Sequence, residues 1–493
     1  MKYTLGIDIG TGSSKAVAVN TSGDIIYSTH VSYPTLNPQP HFCEQAPELI
    51  WQAFVKCVLR TSTAINEKPS AIVLSSVMHS VIPVDVEGNP MMNMITWADN
   101  RSADIARRIK SSTVGREIYS QTGTAIHAMS PLCKVLWLKE NMPEIFSGAN
   151  KYVSIKEYIW HKLFATYEVD HSIASATGLF DLNTLQWNKS ALEVCGIYPD
   201  QLSVPVPVAH TRELTTMAAP LNMPTGTPVL IGSSDGCLAN LGSFAISPGI
   251  AAVTIGTSGA IRMGSPKPAV NYRAMTFSYC LFDNLFISGG PINNGGIALK
   301  WYAENILKMP LNSAEDYEVL LEQIMDIEAG AKGVVFLPYV LGERAPIWDS
   351  KASALFVGLR NYHTQRHLTR AVIEGISMAL YSVLRAMEES GLTVDKIHVS
   401  GGFVHSKIWL QILADIFNKD IYLVHQEDAS AIGAAYLGLV STGLVNTYDE
   451  LEPSNKASFH PNEKDHKVYQ KIFPIYERLY QKLEDEMHLL SEL

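Results

Sequence analysis

The first residues able to do chemistry form a glycine turn near the amino terminus, Asp8-Ile9-Gly10-Thr11-Gly12-Ser13-Ser14-Lys15. Glycine lets the main chain approach a phosphate closely, and the turn offers backbone N–H groups and hydroxyls to an anion. The carboxylate of Asp8 is a candidate ligand for Mg²⁺, directly or through water, and the ammonium of Lys15 is a candidate partner for phosphate. Taken alone, the pattern also fits an ordinary glycine hairpin. The chain has no P-loop motif, which excludes a P-loop NTPase.

A second turn of the same kind, Gly256-Thr257-Ser258-Gly259, also ends an apolar segment. Thr254 stands where the first turn has Asp8, so the second turn lacks the metal-directing carboxylate. This asymmetry suits two loops that hold one triphosphate from opposite sides. A third glycine site, Gly401-Gly402-Phe403, follows a predicted strand, and a nucleotide base or ribose could lie against its backbone. The alternative for this third site is close packing of a strand against a helix.

A single acidic residue, Asp235, follows the apolar segment Pro228-Val229-Leu230-Ile231-Gly232. A carboxylate at a strand end beside a cleft suits a general base that accepts the proton of a hydroxyl nucleophile. An aspartate in a turn also serves as a structural Asx-turn residue, and the spacing alone leaves both readings open.

The sequence segments around these residues predict an α/β layer that would position them. Segments 3–9, 15–19 and 25–31 predict a β-meander, 48–65 a helix and 71–77 a buried strand. The turns at Gly10 and Gly256 are near-copies, lie 246 residues apart and each end an apolar strand. The chain is therefore predicted to hold two similar domains, 1–245 and 246–493, with a less diagnostic helical segment at 446–493. Helices are predicted at 365–389, 406–417, 429–441 and 469–490.

Composition narrows the class of protein. The 493 residues include 48 acidic and 38 basic ones, and no cluster of five or six lysines and arginines occurs, so nucleic acid is not an expected partner. Six scattered cysteines without metal-ligand spacing indicate reduced thiols. Asp8 interrupts any secretory signal, and the most apolar later run, 429–440, is too short to span a bilayer. A soluble, cytoplasmic protein with no membrane partner is expected.

Two longer patterns carry a resemblance to a known family. One is Met129-Ser130-Pro131-Leu132-Cys133-Lys134-Val135-Leu136-Trp137-Leu138-Lys139-Glu140-Asn141, and the other runs from Ala354 through Phe356, Gly358-Leu359 and His367-Leu368 to Ala371-Val372-Ile373-Glu374. On these patterns, and through about residue 445, the chain resembles the FGGY family of carbohydrate kinases. The resemblance implies an α/β fold of the actin/Hsp70/sugar-kinase type, in which two ribonuclease-H-like domains enclose a nucleotide cleft.

The resemblance also implies roles for individual residues. Asp235 matches the catalytic base of the family, and Asp8 matches the residue that organises Mg²⁺, so both are expected at the metal. ATP is expected on the two hairpins and the third glycine site, with the nucleotide-binding set Asp8, Gly10, Thr11, Gly12, Ser13, Lys15, Gly256, Thr257, Gly296, Lys300, Gly401, Gly402 and Ser406. Lys300 and Ser406 differ from the residues at those places in glycerol kinases.

The implied sugar pocket combines two short segments. Met78-His79 resembles the substrate-contacting pair of xylulose-type kinases, and Trp97-Ala98-Asp99-Asn100-Arg101 resembles the W-x-D-x-R segment at the substrate pocket of the family. Within the family, four stretches (78–81, 95–102, 122–127 and 154–159) resemble bacterial gluconate kinases.

A sugar acid needs a cation or free N–H groups for its carboxylate. Arg101, His127 and Lys156 are the candidate cations. Each has a plainer alternative: Arg101 pairs with Asp99 or Asp104, Lys156 is a solvated helix residue, and His127 caps a turn.

The implied enzyme is a phosphotransferase with an alcohol acceptor, which transfers the γ-phosphoryl group of ATP to the 6-hydroxyl of D-gluconate with Mg²⁺. Asp235 would also contact the substrate as it accepts the hydroxyl proton. The alternatives are a xylulose or other pentulose kinase and, more distantly, a non-catalytic sugar-sensing ATPase module. The expected partners are a sugar acid and ATP, with a homodimer as the candidate assembly.

Overall fold

The computed structural model describes residues 2–424, 428–452 and 457–493 as two layered α/β halves. The strands of the first half are β1 (Tyr3–Ile9), β2 (Ser13–Asn20), β3 (Ile25–Ser32), β4 (Glu44–Gln45), β5 (Ala71–Ser76), β6 (Ile82–Val84), β7 (Met94–Ile95), β8 (Lys151–Val153), β9 (Glu168–Asp170), β10 (Phe180–Asp181), β11 (Gln186–Trp187), β12 (Val204–Val206), β13 (Thr211–Glu213) and β14 (Pro228–Ser234). Its helices are α1 (Pro47–Ile65), α2 (Ala103–Lys110), α3 (Thr113–Thr122), α4 (Pro131–Asn141), α5 (Pro143–Gly148), α6 (Ile155–Phe164), α7 (His171–Ser175), α8 (Lys189–Cys195) and α9 (Asp235–Gly242).

The second half continues the same pattern. Its strands are β15 (Gly249–Ile255), β16 (Gly259–Ser265), β17 (Phe277–Phe282), β18 (Leu285–Ile292), β19 (Val335–Leu337), β20 (Leu355–Val357), β21 (Val394–Ser400), β22 (Asp420–Leu423) and β23 (Ser458–Phe459). Its helices are α10 (Gly296–Trp301), α11 (Ala314–Glu322), α12 (Gln365–Glu389), α13 (Lys407–Phe417), α14 (Ala429–Ser441) and α15 (Glu463–Leu490), and a π-helical turn at Tyr302–Leu307 continues α10.

Each half is built on one mixed sheet, and the two sheets share a topology. The first has the order β13-β14-β5-β1-β2-β3, and the second has the order β17-β18-β16-β15-β21-β22-β23. In both, a central strand pairs antiparallel with the next strand of its hairpin and parallel with a later strand: β1 with β2 and β5, and β15 with β16 and β21. This repeat confirms the predicted two-domain α/β class.

Apolar patterning explains the layers. Strand β5 is buried at all six positions, as expected for a central parallel strand covered on both faces. Helix α12 spans Gln365–Glu389, the range that its apolar stripe predicts, and packs into the core of the second half. Helix α15 begins at Glu463, earlier than the predicted start at residue 469, because Asn462 caps it through its side-chain oxygen.

One helix joins the two halves. Although α14 comes late in the chain, it packs against β1, β5 and α9 of the first half. The approach is too close for side chains: a Cβ on Gly6 would lie 1.9 Å from the carbonyl oxygen of Ala431, and one on Gly433 would lie 2.0 Å from that of Leu238. The boundary predicted at residue 245 stays a prediction about sequence segments, because in space α14 belongs to the first sheet.

Within the described ranges, no helix combines the length and the apolar character that crossing a bilayer requires.

Candidate active site

A cavity of about 840 Å³ lies where the hairpins of the two sheets face each other. Nine of the residues predicted from the sequence line it: Thr11, Met78, His79, Trp97, Asp235, Gly256, Thr257, Gly401 and Gly402. The lining also includes side chains that the sequence analysis did not single out, among them Arg262, Tyr279, Arg344 and Asp428.

The first glycine turn is the β1–β2 hairpin. It is closed by the N–H of Gly10, which donates to the carbonyl of Ser13 at 3.0 Å, and Asp8 pairs with Lys15 in the ladder. Thr11 and Gly12 are exposed at its tip. The indole Nε1 of Trp97 donates to the hydroxyl of Thr11 at 2.9 Å, which ties the hairpin to the predicted sugar segment.

The second turn, between β15 and β16, is supported from behind by the start of α10. The N–H of Gly296 donates to the carbonyl of Gly256 at 2.7 Å, and the N–H of Ile297 donates to that of Thr257 at 3.1 Å. A Cβ on Gly296 would lie 2.8 Å from the carbonyl oxygen of Gly256. Gly296 therefore shapes the hairpin from outside the cavity lining, while Gly256 and Thr257 remain exposed on it.

The third glycine site sits at the end of β21. Gly401 has φ +103°, a conformation that favours glycine, and a Cβ there would lie 2.5 Å from the carbonyl oxygen of Ile255. Close strand packing and exposure to the cavity thus occur together at this site. Ser406 lies one turn further on, where its hydroxyl caps α13 by accepting from the N–H of Trp409.

Asp235 is the first residue of α9, directly after β14. Its Oδ1 accepts the N–H of Gly236 at 2.7 Å. Burial, followed by the nearby charge of Asp8, raises the pKa of Asp235 to about 7, against the opposing effects of that hydrogen bond and the cations Arg262 and Lys156. A carboxyl with such a pKa is poised to accept a proton near neutral pH.

A β-bulge aims Asp235 into the cavity. The register of β14 against β5 shifts between Leu230 and Ser233. Gly232, inside this irregularity, has φ +68°, and a Cβ there would lie 1.8 Å from the carbonyl oxygen of Leu74. Bulges re-aim side chains next to active sites, which is the position of this one.

The surroundings of Asp8 fit a magnesium ion. Its Oδ1 accepts the hydroxyl of Ser75 at 2.7 Å, and burial raises the pKa of Asp8, with Ser75, Lys15 and Lys156 opposing the shift. Asp8 lies outside the cavity lining, but its charge acts on Asp235, so the two carboxylates lie near each other. Hard oxygen donors of this kind suit Mg²⁺, which keeps several waters.

The cation next to Asp8 is already engaged. The ammonium of Lys15 forms an ion pair with the carboxylate of Asp428, at the start of α14. Lys15 therefore joins the first hairpin to the start of α14, and its role toward phosphate stays a prediction.

Two predicted sugar-pocket residues, His79 and Trp97, are held together from behind by a buried lysine. Lys134 on α4 donates to the carbonyl oxygens of His79 at 2.5 Å and Thr96 at 2.7 Å. The Nδ1 of His79 donates to the carbonyl of Ala176 at 2.7 Å, which leaves Nε2 as an acceptor toward the hydroxyl of Tyr279. Burial and the charge of Lys134 lower the pKa of His79 to about 3, so its imidazole is neutral.

Arg101 and Asp99 lie outside this cavity lining and pair with each other. Arg101 binds Asp99 at 2.8 Å and Glu44 at 2.6 Å, its side chain is 1% exposed, and its guanidinium stacks on Phe42 at 3.7 Å. The Oδ2 of Asp99 also accepts the N–H of Cys43 at 2.6 Å. This arrangement matches the alternative in which Arg101 pairs with Asp99.

Lys156 and His127 are likewise engaged. The buried ammonium of Lys156 donates to Asp170 at 2.7 Å and to the carbonyl of Ser233 at 2.8 Å, so it supports the strand that carries Asp235. The Nδ1 of His127 accepts the N–H of Met129, and burial, then the charge of Arg344, lowers the pKa of His127 to about 3. Neither residue lines the cavity.

Lys300 also lies outside the cavity lining. It is part-exposed on α10, with its ammonium 3.6 Å from the carboxylate of Glu304.

Sequence reasoning missed two arginines. Arg262 stands two residues after Ala260 on β16, and both line the cavity because alternate residues of a strand share a face. That alternation, counted from the second hairpin, could have identified Arg262. Arg344 lies in an irregular segment whose position no local pattern predicts.

Two family models match the chain. The N-terminal domain model of the FGGY family of carbohydrate kinases matches residues 3–242, and the C-terminal domain model of that family matches residues 251–442. The gluconokinase of Bacillus licheniformis is 40% identical over 98% of this chain and 96% of its own length. A xylulose kinase of Staphylococcus xylosus is 30% identical over 97% of this chain and all of its own length.

Solved structures agree with this similarity. A ligand-bound xylulose kinase from Lactobacillus acidophilus superposes with a TM-score of 0.93 at 33% identity, covering 98% of this chain and 99% of that one. A gluconate kinase from Lactobacillus acidophilus gives 0.92 at 33% identity, covering 98% of both chains.

Proposed function

This chain belongs to the FGGY family of carbohydrate kinases, and we propose that within the family it transfers the γ-phosphoryl group of ATP to the 6-hydroxyl of D-gluconate. The observation that carries the chemistry is Asp235, a carboxyl with a pKa of about 7 in a cavity between two glycine–threonine hairpins. The choice of gluconate is supported by the 40% identity to gluconokinase, against 30% to xylulose kinase.

In the proposed reaction, the oxygen of the 6-hydroxyl attacks the γ-phosphorus while Asp235 takes the proton of that hydroxyl. A bond forms from that oxygen to phosphorus, the bond from phosphorus to the β-γ bridging oxygen breaks, and ADP leaves. Such a transition state is loose, so catalysis depends on positioning and on stabilisation of charge. The neutral His79 and the indole of Trp97 face the same cavity and would orient the sugar.

The phosphates would lie on the exposed tips of the two hairpins, at Thr11 and Thr257, where backbone N–H groups and hydroxyls are available. Asp8 and Asp235 would hold Mg²⁺, which would neutralise charge that develops on the phosphates during transfer. The Gly401-Gly402 backbone would carry the base or ribose. The proposal includes a cytoplasmic location, which suits the predicted reduced thiols.

A second candidate is a pentulose kinase such as a xylulose kinase. The specific observation in its favour is the TM-score of 0.93 to the Lactobacillus acidophilus xylulose kinase. It accounts for the Met78-His79 pair equally well, but it leaves the arginines of the cavity without an anionic sugar to bind.

A substrate panel tests the proposal. Purified protein is given ATP, Mg²⁺ and one of D-gluconate, D-xylulose, D-ribulose, glycerol or L-fuconate, and ADP release is followed by a coupled assay. We expect the highest kcat/KM with D-gluconate and a phosphomonoester at carbon 6 by ³¹P NMR. Turnover with a neutral ketose and none with gluconate would replace the proposal by the second candidate.

A further inference from the structure

Two arginines of the second half face the cavity at its sugar end. Arg262 projects from β16, and Arg344 follows the loop that leads away from β19. In the described residues neither guanidinium forms an ion pair with a carboxylate. Arg344 is held in place by Asn293, which accepts from its Nε at 2.7 Å, and its guanidinium lies 5.3 Å from the ring centre of Trp97.

Arg262 has a freer guanidinium than Arg344. Among residues 2–424, 428–452 and 457–493 the guanidinium of Arg262 forms no hydrogen bond or ion pair, and its charged neighbour is Asp235. Burial lowers the pKa of Arg262. Burial also lowers the pKa of Arg344 to about 10, and the positive charge of Arg262 acts in the same direction. Two buried like charges beside each other are costly, and Asp235 acts on Arg262 only through its charge, without an ion pair or hydrogen bond to the guanidinium in the described part of the chain.

Position along the strand separates Arg262 from the phosphate turn. Arg262 comes three residues after Gly259, where the turn ends, and three residues of an extended strand span about 10 Å. The hairpin tip and Arg262 therefore serve different parts of the cavity. The side of the cavity where Arg262 lies also contains Tyr279, whose hydroxyl meets His79, a predicted sugar ligand.

We propose that Arg262, with Arg344 beside it, binds the carboxylate of the substrate and so selects a sugar acid over a neutral sugar. This inference rests on the proposed function and assigns its specificity to residues other than Arg101, His127 and Lys156. A guanidinium matches a carboxylate in planar, bidentate geometry, and a buried hydrogen bond to a charged group is worth more than a neutral one. An aldonate would supply a carboxylate in hydrogen-bonding contact with these guanidiniums, which neither has within the described ranges.

The test compares an acid with the alcohol that replaces it. D-gluconate and D-glucitol carry the same chain of hydroxyls and differ at carbon 1. We expect Arg262→Gln to lower the ratio of kcat/KM for gluconate to that for glucitol by about 10- to 100-fold. Arg262→Lys should restore part of the ratio, and Arg385→Gln, a surface change on α12, should leave it unchanged.

Binding without turnover gives the independent readout. In the Asp235→Asn background, calorimetry without nucleotide should show weaker gluconate binding after Arg262→Gln and unchanged glucitol binding. Equal losses for both sugars, or a change in the KM of ATP alone, would overturn the inference and make Arg262 a structural or phosphate-binding residue. If Arg262→Gln does not fold, Arg262→Lys carries the test, and an unchanged ratio overturns the inference.

The outcome for the wild-type protein separates the two proposals. Preference for another aldonate over its alcohol would end the gluconate assignment and leave the carboxylate site in place. Preference for gluconate with an unchanged ratio in the variants would end the carboxylate site and leave the kinase assignment in place. Preference for a neutral ketose over every acid would overturn both.

Discussion

At the scale of residues, neighbouring charges have opposing effects on the pKa of Asp235. Asp235 is buried beside Asp8, which raises the pKa of Asp235, while Arg262 and Lys156 lower it. The balance leaves a carboxyl that ionises near neutral pH. A catalytic base is most effective when its pKa lies near the working pH.

The first prediction concerns the pH profile. Because Asp235 must be ionised to accept a proton, kcat/KM for gluconate should rise about tenfold per pH unit below about pH 7 and level off above it. Removing the positive charge of Arg262 raises the pKa of Asp235, so Arg262→Gln should move this limb to higher pH. The measurement is a rate profile from about pH 5 to 9 with Arg385→Gln as the control. A flat profile would remove Asp235 as the titrating base.

The sequence predicted which residues line the site better than it predicted which partners the charged side chains have. Asp235 and both hairpins were found because each follows a clear apolar strand. The pair of Arg101 with Asp99 was among the alternatives read from the sequence. The further partners Glu44 of Arg101 and Asp170 of Lys156 could not be found in this way, because they lie further away in the chain and come close only through packing. An unpaired and a paired cation look alike in a sequence.

At the scale of elements, a bulge in β14 directly precedes Asp235. Gly232 adopts a positive φ there and lies against the backbone of β5, so both its conformation and its lack of a side chain are required. The apolar segment 228–232 does form a strand, β14. The bulge in β14 arises from its pairing with β5, so no local sequence pattern predicts it.

The second prediction follows from this bulge. Gly232→Ala should lower the free energy of unfolding by clearly more than about 1 kcal/mol and should also reduce kcat, because the added methyl group meets the carbonyl of Leu74. Gly443→Ala is the matched control: its φ of +69° is nearly the same, but nothing lies within 4 Å of the added Cβ. Chemical denaturation of both variants measures the difference. Equal losses would show that the contact with β5 is unimportant.

At the scale of the whole molecule, the cavity draws its groups from both halves. Asp235, His79 and Trp97 come from the first half, and Arg262, Arg344 and the second hairpin from the second. Helix α14 comes from the second half of the chain and packs on the first, and the ion pair of Lys15 with Asp428 fixes the start of that helix. A net charge of −10 would repel ATP and the proposed sugar acid, so in this proposal backbone N–H groups and buried arginines supply the attraction locally.

The third prediction is that sugar acid and nucleotide together draw the halves closer. A ligand that contacts both halves favours the conformation in which both contacts are made. Small-angle scattering should show a smaller radius of gyration with gluconate and a non-hydrolysable ATP analogue than with either alone, and excess glucitol should produce less compaction. The same radius in every state would contradict the idea that the substrate joins the halves.

The most direct test of the central claim is the Asp235→Asn variant. We expect this variant to fold, to bind ATP with nearly unchanged affinity and to lose phosphoryl transfer to gluconate by about 10²- to 10⁴-fold, because the amide cannot accept the hydroxyl proton. Asp104→Asn, at an exposed ion pair on α2, is the control and should keep full activity. Single-turnover transfer from ATP to gluconate is the measurement. Transfer by Asp235→Asn at a near wild-type rate would contradict the account.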